Sequence, residues 1–220
     1  TVFVTVGLIN ALNMYDGIDG LVGTVCTAVV LMFICAAIYS GAYDVATGLF
    51  WLLGALVGFL WFNLRHPGQQ QARVFLGDAG SGLLGFTLAY VIFRLTQNPG
   101  HPISPVSPIL GPYLLAPPII DGVVLIVNRI NRGQSPFAAG RDHAHYLMMD
   151  AGFTVNQVVM LMMLFTCVSG LFGAICMLFD VPAPVMVLMY VFVVLYWFWI
   201  TKTPERTKQY LGGLHKALYG

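Results

Sequence analysis

Long apolar runs separated by short polar stretches set the rhythm of this chain. Residues 1–13 read as the end of a first helix. Leu21 to Tyr39 is 19 residues without a charge, enough for one bilayer span at a rise of about 1.5 Å per residue. Ser40 to Asp44 is a polar turn, and Val45 to Leu64 is a second full span. Arg65 to Ser81 is a polar loop. Gly82 to Gln97 is a third, shorter span with Arg94 near its far end. Asn98 to Pro108 is a proline-rich loop. Ile109 to Val127 is a fourth span, interrupted by Pro112, Pro117 and Pro118 and carrying Asp121. Asn128 to Thr154 is the longest polar segment. Val155 to Phe179 and Ala183 to Ile200 are the last two spans, and Thr201 to Gly220 is a basic amphipathic tail. The pattern predicts an all-α polytopic integral membrane protein. It has six full transmembrane helices, the end of a preceding one, and a single membrane-embedded domain over residues 1–220 with a tail at 201–220. No repeat or low-complexity segment appears.

Composition agrees. The chain is 58% hydrophobic and 9% charged, with a mean hydropathy of +0.81, against roughly 45–50% and 25% in a soluble domain. The net charge of +1 says nothing of partners, and the absence of a basic run excludes nucleic-acid binding. Cys26, Cys35, Cys167 and Cys176 lie inside apolar runs and read as small buried hydrophobes. The chain opens on Thr1, inside an apolar run with no charged segment before it. That is not a signal peptide; it reads as the tail of a helix whose start lies upstream, so the N-terminus is expected to be incomplete.

Charge adds sidedness. Each span reverses the chain's side of the membrane. The Asp16/Asp19 loop, the Asp78 loop, the 128–154 segment and the tail therefore share one face. That face holds Arg65, Arg73, Arg129, Arg132, Arg141, Lys202, Arg206, Lys208 and Lys216, nine of the ten basic residues. The positive-inside rule makes it cytoplasmic.

Three polar clusters fall on this face. Asn13, Asp16 and Asp19 form the first, Gly77-Asp78-Ala79-Gly80-Ser81 the second, and Arg141-Asp142-His143-Ala144-His145-Tyr146 the third, preceded by Arg129, Arg132 and Ser135-Pro136-Phe137. Carboxylate and amide oxygens are hard ligands that suit Mg²⁺, which leaves further positions to water and phosphate. Glycines let backbone approach a phosphate. Gly80 and Ser81 at a helix start add N–H donors, and Arg grips phosphate as a planar fork. These are the parts of a phosphoryl-transfer site. Blander readings stand beside each. The Gly-Asp-x-Gly-Ser run could be a plain helix cap. His143 and His145 lack helical metal spacing, which disfavours zinc, and could be solvated loop histidines. Asp121 could be a hinge beside the prolines or an acid facing a cavity, and with Asp16 and Asp19 it leaves a transporter with a proton relay open. Arg94 reads as a snorkelling side chain, the aromatics of Tyr190 to Trp199 as an interface belt, and the tail as a contact with anionic lipid.

The strings NMYDGIDGL, VFLGDAGSGLLGF and SPFAAGRDHAHYLMMDAGFT resemble, in order and over nearly the whole chain, the polyprenyl-phosphate N-acetylhexosamine-1-phosphate transferases. HPISPV and NRINRGQSPF are more similar to the WecA-type branch than to the MraY type. The resemblance implies transfer of a HexNAc-1-phosphate, GlcNAc-1-phosphate first among them, from a UDP-sugar to undecaprenyl phosphate, with release of UMP and dependence on Mg²⁺ or Mn²⁺. A phospho-MurNAc-pentapeptide transferase is the alternative within the class, and a non-catalytic remnant the alternative outside it. The resemblance places the metal on Asp78 and Asn13. It makes Asp16 and Asp19 the essential acids near the phosphates and sets Arg141, His143 and His145 on the loop that grips the nucleotide-sugar. With the residue chemistry above, the candidate catalytic set is Asp16, Asp19 and His143, and the candidate substrate contacts are Arg141, His145, Gly77, Gly80, Ser81 and Arg132. It also implies a bacterial inner-membrane enzyme of cell-envelope polysaccharide synthesis, surrounded by lipid, with a homodimer among its open assembly states. Two departures are visible. The family's paired aspartates on an earlier cytoplasmic loop have no counterpart here, and Tyr146 stands where the family's His-x-His-His motif ends in histidine.

Overall fold

The computed structural model describes residues 1–97, 106–136 and 140–219. Most of HPISPV, and Phe137-Ala138-Ala139 of the third motif, lie outside the described residues.

Apolar runs without water to satisfy their backbone must close their hydrogen bonds internally, and helices do so. Among the described residues the chain forms ten helices and no strand. They are α1 (Val2–Tyr15), α2 (Leu21–Tyr39), α3 (Tyr43–Asn63), α4 (Gly77–Thr96), α5 (Leu110–Leu114), α6 (Ala116–Asn131), α7 (Ala144–Asp150), α8 (Val155–Leu178), α9 (Ala183–Thr201) and α10 (Pro204–Tyr219). Five of them, α2, α3, α4, α8 and α9, are long and apolar enough to cross a bilayer. The chain is thus a multi-pass membrane protein.

Five single helices reach that length because the fourth expected span, read as broken by its prolines, is indeed not one helix: it breaks at Leu115 into the five-residue α5 and the 16-residue α6. Pro117 and Pro118 fall within the first turn of α6, where a proline's missing N–H costs nothing, but they cannot donate back to the preceding turn. A difference lies at α4. It begins at Gly77 rather than Gly82, so the Gly-Asp-Ala-Gly-Ser run is its first turn. The basic tail is the helix α10.

Helix α1 packs along α4, and α2 lies between α3 and α8. The two halves of the broken span divide their neighbours: α5 rests on α8, while α6 touches α1, α8 and α9. A core of Leu12, Tyr15, Leu21, Val25, Phe33, Leu88, Leu114 and Val158 runs through the middle. The outer faces of α3 and α9 leave Trp51, Trp61, Leu188 and Phe192 exposed, as lipid-facing surfaces require. At the end remote from the polar clusters, Arg94 reaches Asp44 at 2.8 Å, so the side chain read as snorkelling is ion-paired. Helix α10 lies on α9 and α7. It buries Thr207 and Leu211, and its His215 meets Phe153 edge to face at 4.8 Å.

Candidate active site at the polar end of the bundle

The end of α1, the start of α4, the end of α6 and the short α7 meet at one end of the bundle. They bring the three polar clusters into contact.

The first and second clusters join through Asn13. Its side-chain amide donates to Asp78 Oδ1 at 2.9 Å and to Ser81 Oγ at 3.1 Å. Ser81 is buried and donates back to the Gly77 carbonyl at 3.1 Å. Gly77 has φ +65°, a conformation that favours glycine. Asp78 is exposed in the first turn of α4, where the helix dipole favours a carboxylate. Gly80 lies in the same turn. Asp16 follows α1. Burial pushes its carboxyl above the ordinary range, a Gly77 N–H pulls it down, and the charge of Asp78 pushes it up again. Two carboxylates and an amide therefore converge with more negative charge than cation.

Asp19 is engaged elsewhere. Its Oδ2 accepts from Arg65 Nε at 2.7 Å and from the Ala72 N–H at 3.2 Å, so it ties the first loop to the segment before α4. Buried Asn63 does the same work: its Oδ1 accepts from Gly20 N–H at 2.9 Å and its amide donates to the Val74 carbonyl at 2.7 Å. Neither Asn63 nor the role of Arg65 stands out in the sequence. An amide at the end of an apolar span is the one signal it offers.

The third cluster is gripped by α6. Arg129, 2% exposed, donates to Asp142 at 2.6 and 3.1 Å and to the Pro136 carbonyl at 3.0 Å. Burial raises the Asp142 carboxyl, but the Arg129 hydrogen bonds and charge outweigh it and hold it below its ordinary range. Asp121, 4% exposed, meets His143 Nδ1 at 2.9 Å and accepts the Ala144 N–H at 2.8 Å. It thereby caps α7 from another helix. The hinge reading of Asp121 gives way to this pairing.

His145 is fully buried, and neither of its ring nitrogens has a hydrogen-bond partner. Burial and the neighbouring His143 push its pKa down to about 3, so it is a neutral ring near pH 7. It stacks on His143 with centroids 5.4 Å apart and planes 12° apart, and Tyr15 and Tyr146 close over it. Tyr146 donates to the Gly17 carbonyl at 3.1 Å, so it joins the third cluster to the first. Arg141 lies 5.1 Å over the Tyr146 ring and 3.8 Å from Asp150, and both Arg141 and Arg132 are exposed.

Among the described residues no group of three or more His, Cys, Asp or Glu side chains is arranged to hold a metal ion by itself. The donors beside Asp78 are oxygens, few and charged. That set fits a hard divalent cation that keeps waters or takes phosphate oxygens, and does not fit zinc.

The class of protein is now defined: a multi-spanning helical membrane protein whose residues 1–96 match the model of glycosyl transferase family 4. The first two motifs lie within the matched segment. The chain is 32% identical over 99% of its length to an undecaprenyl-phosphate alpha-N-acetylglucosaminyl 1-phosphate transferase of Escherichia coli O157:H7, covering 59% of that relative. It is 36% identical, over 80% of its length, to proteins of the same name from Yersinia pestis and Haemophilus influenzae, covering 47% and 51% of them. The resemblance read from the motifs is borne out. The chain spans about half the length of the curated relatives it matches.

Proposed function

We propose that this chain forms part of an enzyme that moves GlcNAc-1-phosphate from a UDP-sugar to undecaprenyl phosphate and releases UMP, at the cytoplasmic face of a bacterial inner membrane. The observation that carries the reading is the Asn13 bridge to Asp78 and Ser81 beside a second carboxylate, Asp16. Two carboxylates and an amide thus share one end of the bundle with the loop bearing Arg141 and His143. The names of the relatives supply the sugar and the lipid.

Asp78 and Asn13 would hold the metal ion, Asn13 by turning its amide oxygen inward, with Asp16 at their side. Bound there, Mg²⁺ or Mn²⁺ supplies neutralisation of charge on the donor pyrophosphate. The remaining work falls to side chains. Exposed Arg141 and Arg132 draw in the nucleotide phosphates. Gly77 and Gly80 leave room for a phosphate against the start of α4, and Ser81 holds Asn13. The lipid phosphate approaches from the bilayer, and a proton it carries passes to Asp16 or His143. Asp19, held by Arg65, acts through the loop it orders. His145, neutral and enclosed, shapes the site by its volume.

The test is transfer itself. The full-length protein that contains this chain, in lipid nanodiscs with Mg²⁺, undecaprenyl phosphate and UDP-GlcNAc, is expected to yield UMP and lipid-linked GlcNAc, and not to accept UDP-MurNAc-pentapeptide. No lipid-linked product from either donor would sink the reading.

A further inference from the structure

The buried acid on α6 has work that the transferase reading does not use. Asp121 presents both carboxylate oxygens to the third loop: Oδ1 to the Ala144 N–H at 2.8 Å and Oδ2 to His143 Nδ1 at 2.9 Å. Ala144 and His143 are themselves buried. A carboxylate is an acceptor at both oxygens, so the ring nitrogen facing it must carry the hydrogen. The bond on one nitrogen sets the state of the other. With Nδ1–H committed to Asp121, a neutral imidazole at this position has a bare Nε2. No protein hydrogen bond reaches Nε2 among the described residues, and it is not among their enclosed, unpartnered polar atoms. The ring cannot swing away. His145 lies stacked against it, and the Arg129–Asp142 pair holds the preceding residue.

We propose that Asp121 is a positioning residue: it fixes His143 as the Nδ1–H tautomer, so that Nε2 is the proton acceptor the site offers to an incoming phosphate. The inference rests on the transferase reading for the identity of that phosphate and deepens it. The step balances without another reactant. A proton leaves an oxygen of the monoprotonated lipid phosphate and joins Nε2. The resulting imidazolium keeps Nδ1–H on the Asp121 carboxylate, and the Nε2 proton passes later to solvent or to the departing UMP.

The isosteric variant Asp121→Asn makes the proposal sharp. An asparagine has one acceptor oxygen, and the Ala144 N–H at the start of α7 claims it. The NH₂ group then faces His143 Nδ1 and forces the hydrogen to Nε2. The fold is kept and the tautomer is inverted. A residue that merely packed or capped would leave the tautomer where it was.

Nitrogen-15 spectra of the histidine-labelled full chain in nanodiscs are expected to assign Nδ1–H to His143 in the wild type and Nε2–H in D121N. Steady-state assays of UMP release are expected to give a turnover about a hundredfold or more lower in D121N. KM for the UDP-sugar should stay within about threefold, because Nε2 faces the lipid phosphate and not the donor. An unchanged tautomer in D121N overturns the proposal, as does an inverted tautomer with wild-type turnover. A wild-type chain that releases no UMP sinks the transferase reading instead, and an inverted spectrum would then still support the Asp121 latch. Should D121N fold poorly, Asp121→Glu in the same spectra decides: a retained carboxylate is expected to keep Nδ1–H, and an Nε2–H signal there overturns the latch.

Discussion

The ring edge of His145 occupies the space that a β-carbon on Gly17 would need: such a carbon would collide with Nε2 and meet Cε1 at 2.9 Å. Two clusters separated by more than a hundred residues are packed against each other with no room for a methyl group. Because His145 is fully enclosed, the ring has nowhere to retreat. Gly17→Ala is expected to cost about 1–3 kcal/mol, as overpacking of a filled interior does, and to displace the His143–His145 stack. Thermal unfolding in detergent measures the first effect. A loss of UMP release larger than the loss of folded protein measures the second.

Asp78→Ala removes the carboxylate that Asn13 and the start of α4 hold in place. UMP release is expected to fall by more than about a hundredfold, the equivalent of losing several kcal/mol of charge stabilisation. Excess Mg²⁺ should not restore it. Release at the wild-type rate would move the metal site elsewhere.

Asp16 carries a sign that can be read by pH. Its carboxyl is raised, first by burial. In the folded chain the ionised form is therefore disfavoured. The penalty to stability sets in as pH rises above about 3.9, the ordinary carboxylate value, and is complete above the raised one. Asp16→Asn is expected to raise the unfolding temperature at neutral pH without metal while lowering turnover. Mg²⁺ should stabilise the wild type and stabilise the variant less. Equal Mg²⁺ shifts in both would contradict the placement of the ion beside Asp16.

Arg129 and Asp142 give the opposite slope. The Asp142 carboxyl is held below its ordinary range. The pair's contribution is therefore full above about pH 3.9 and is lost as pH falls through the lowered value. Arg129 is the buried partner, so Arg129→Met, which strands Asp142, is expected to cost about 3 kcal/mol. Asp142→Asn should remove this part of the acid dependence. Unfolding scans from neutral to acid pH distinguish the two.

Asp19 and Arg65 should behave as one unit. Asp19→Asn and Arg65→Met are each expected to reduce UMP release, and the double variant to be no worse than either. That non-additivity would correspond to a coupling of about 1 kcal/mol for a half-exposed pair. Additive losses would return Asp19 to direct chemistry.

The helices are legible in the sequence because charge is costly inside a bilayer, and a run of 19 apolar and small residues without one has the length a span needs. The face shared by the three clusters is legible by counting reversals. That the fourth span is broken is legible from Pro112, Pro117 and Pro118, but where it splits depends on what packs on each side, and here α5 rests on α8 while α6 meets α1, α8 and α9. Which polar residues touch is equally out of the sequence's reach. Asp121 lies 22 residues before His143 and Asn63 lies 43 after Gly20, and no local rule of spacing joins them. Asp19 and Asp16 look alike in the nonapeptide; only the neighbouring Arg65 and Gly77 tell them apart.

The docking of α10 has a practical side. Thr207, Leu211 and His215 tie this terminal helix to α9, to α7 and to Phe153 just behind the histidine pair. Trimming the chain at Thr201 to improve expression or crystallisation would strip the backing from α7. It would harvest a protein that keeps His143 and His145 in its sequence and loses the helix that packs against α7.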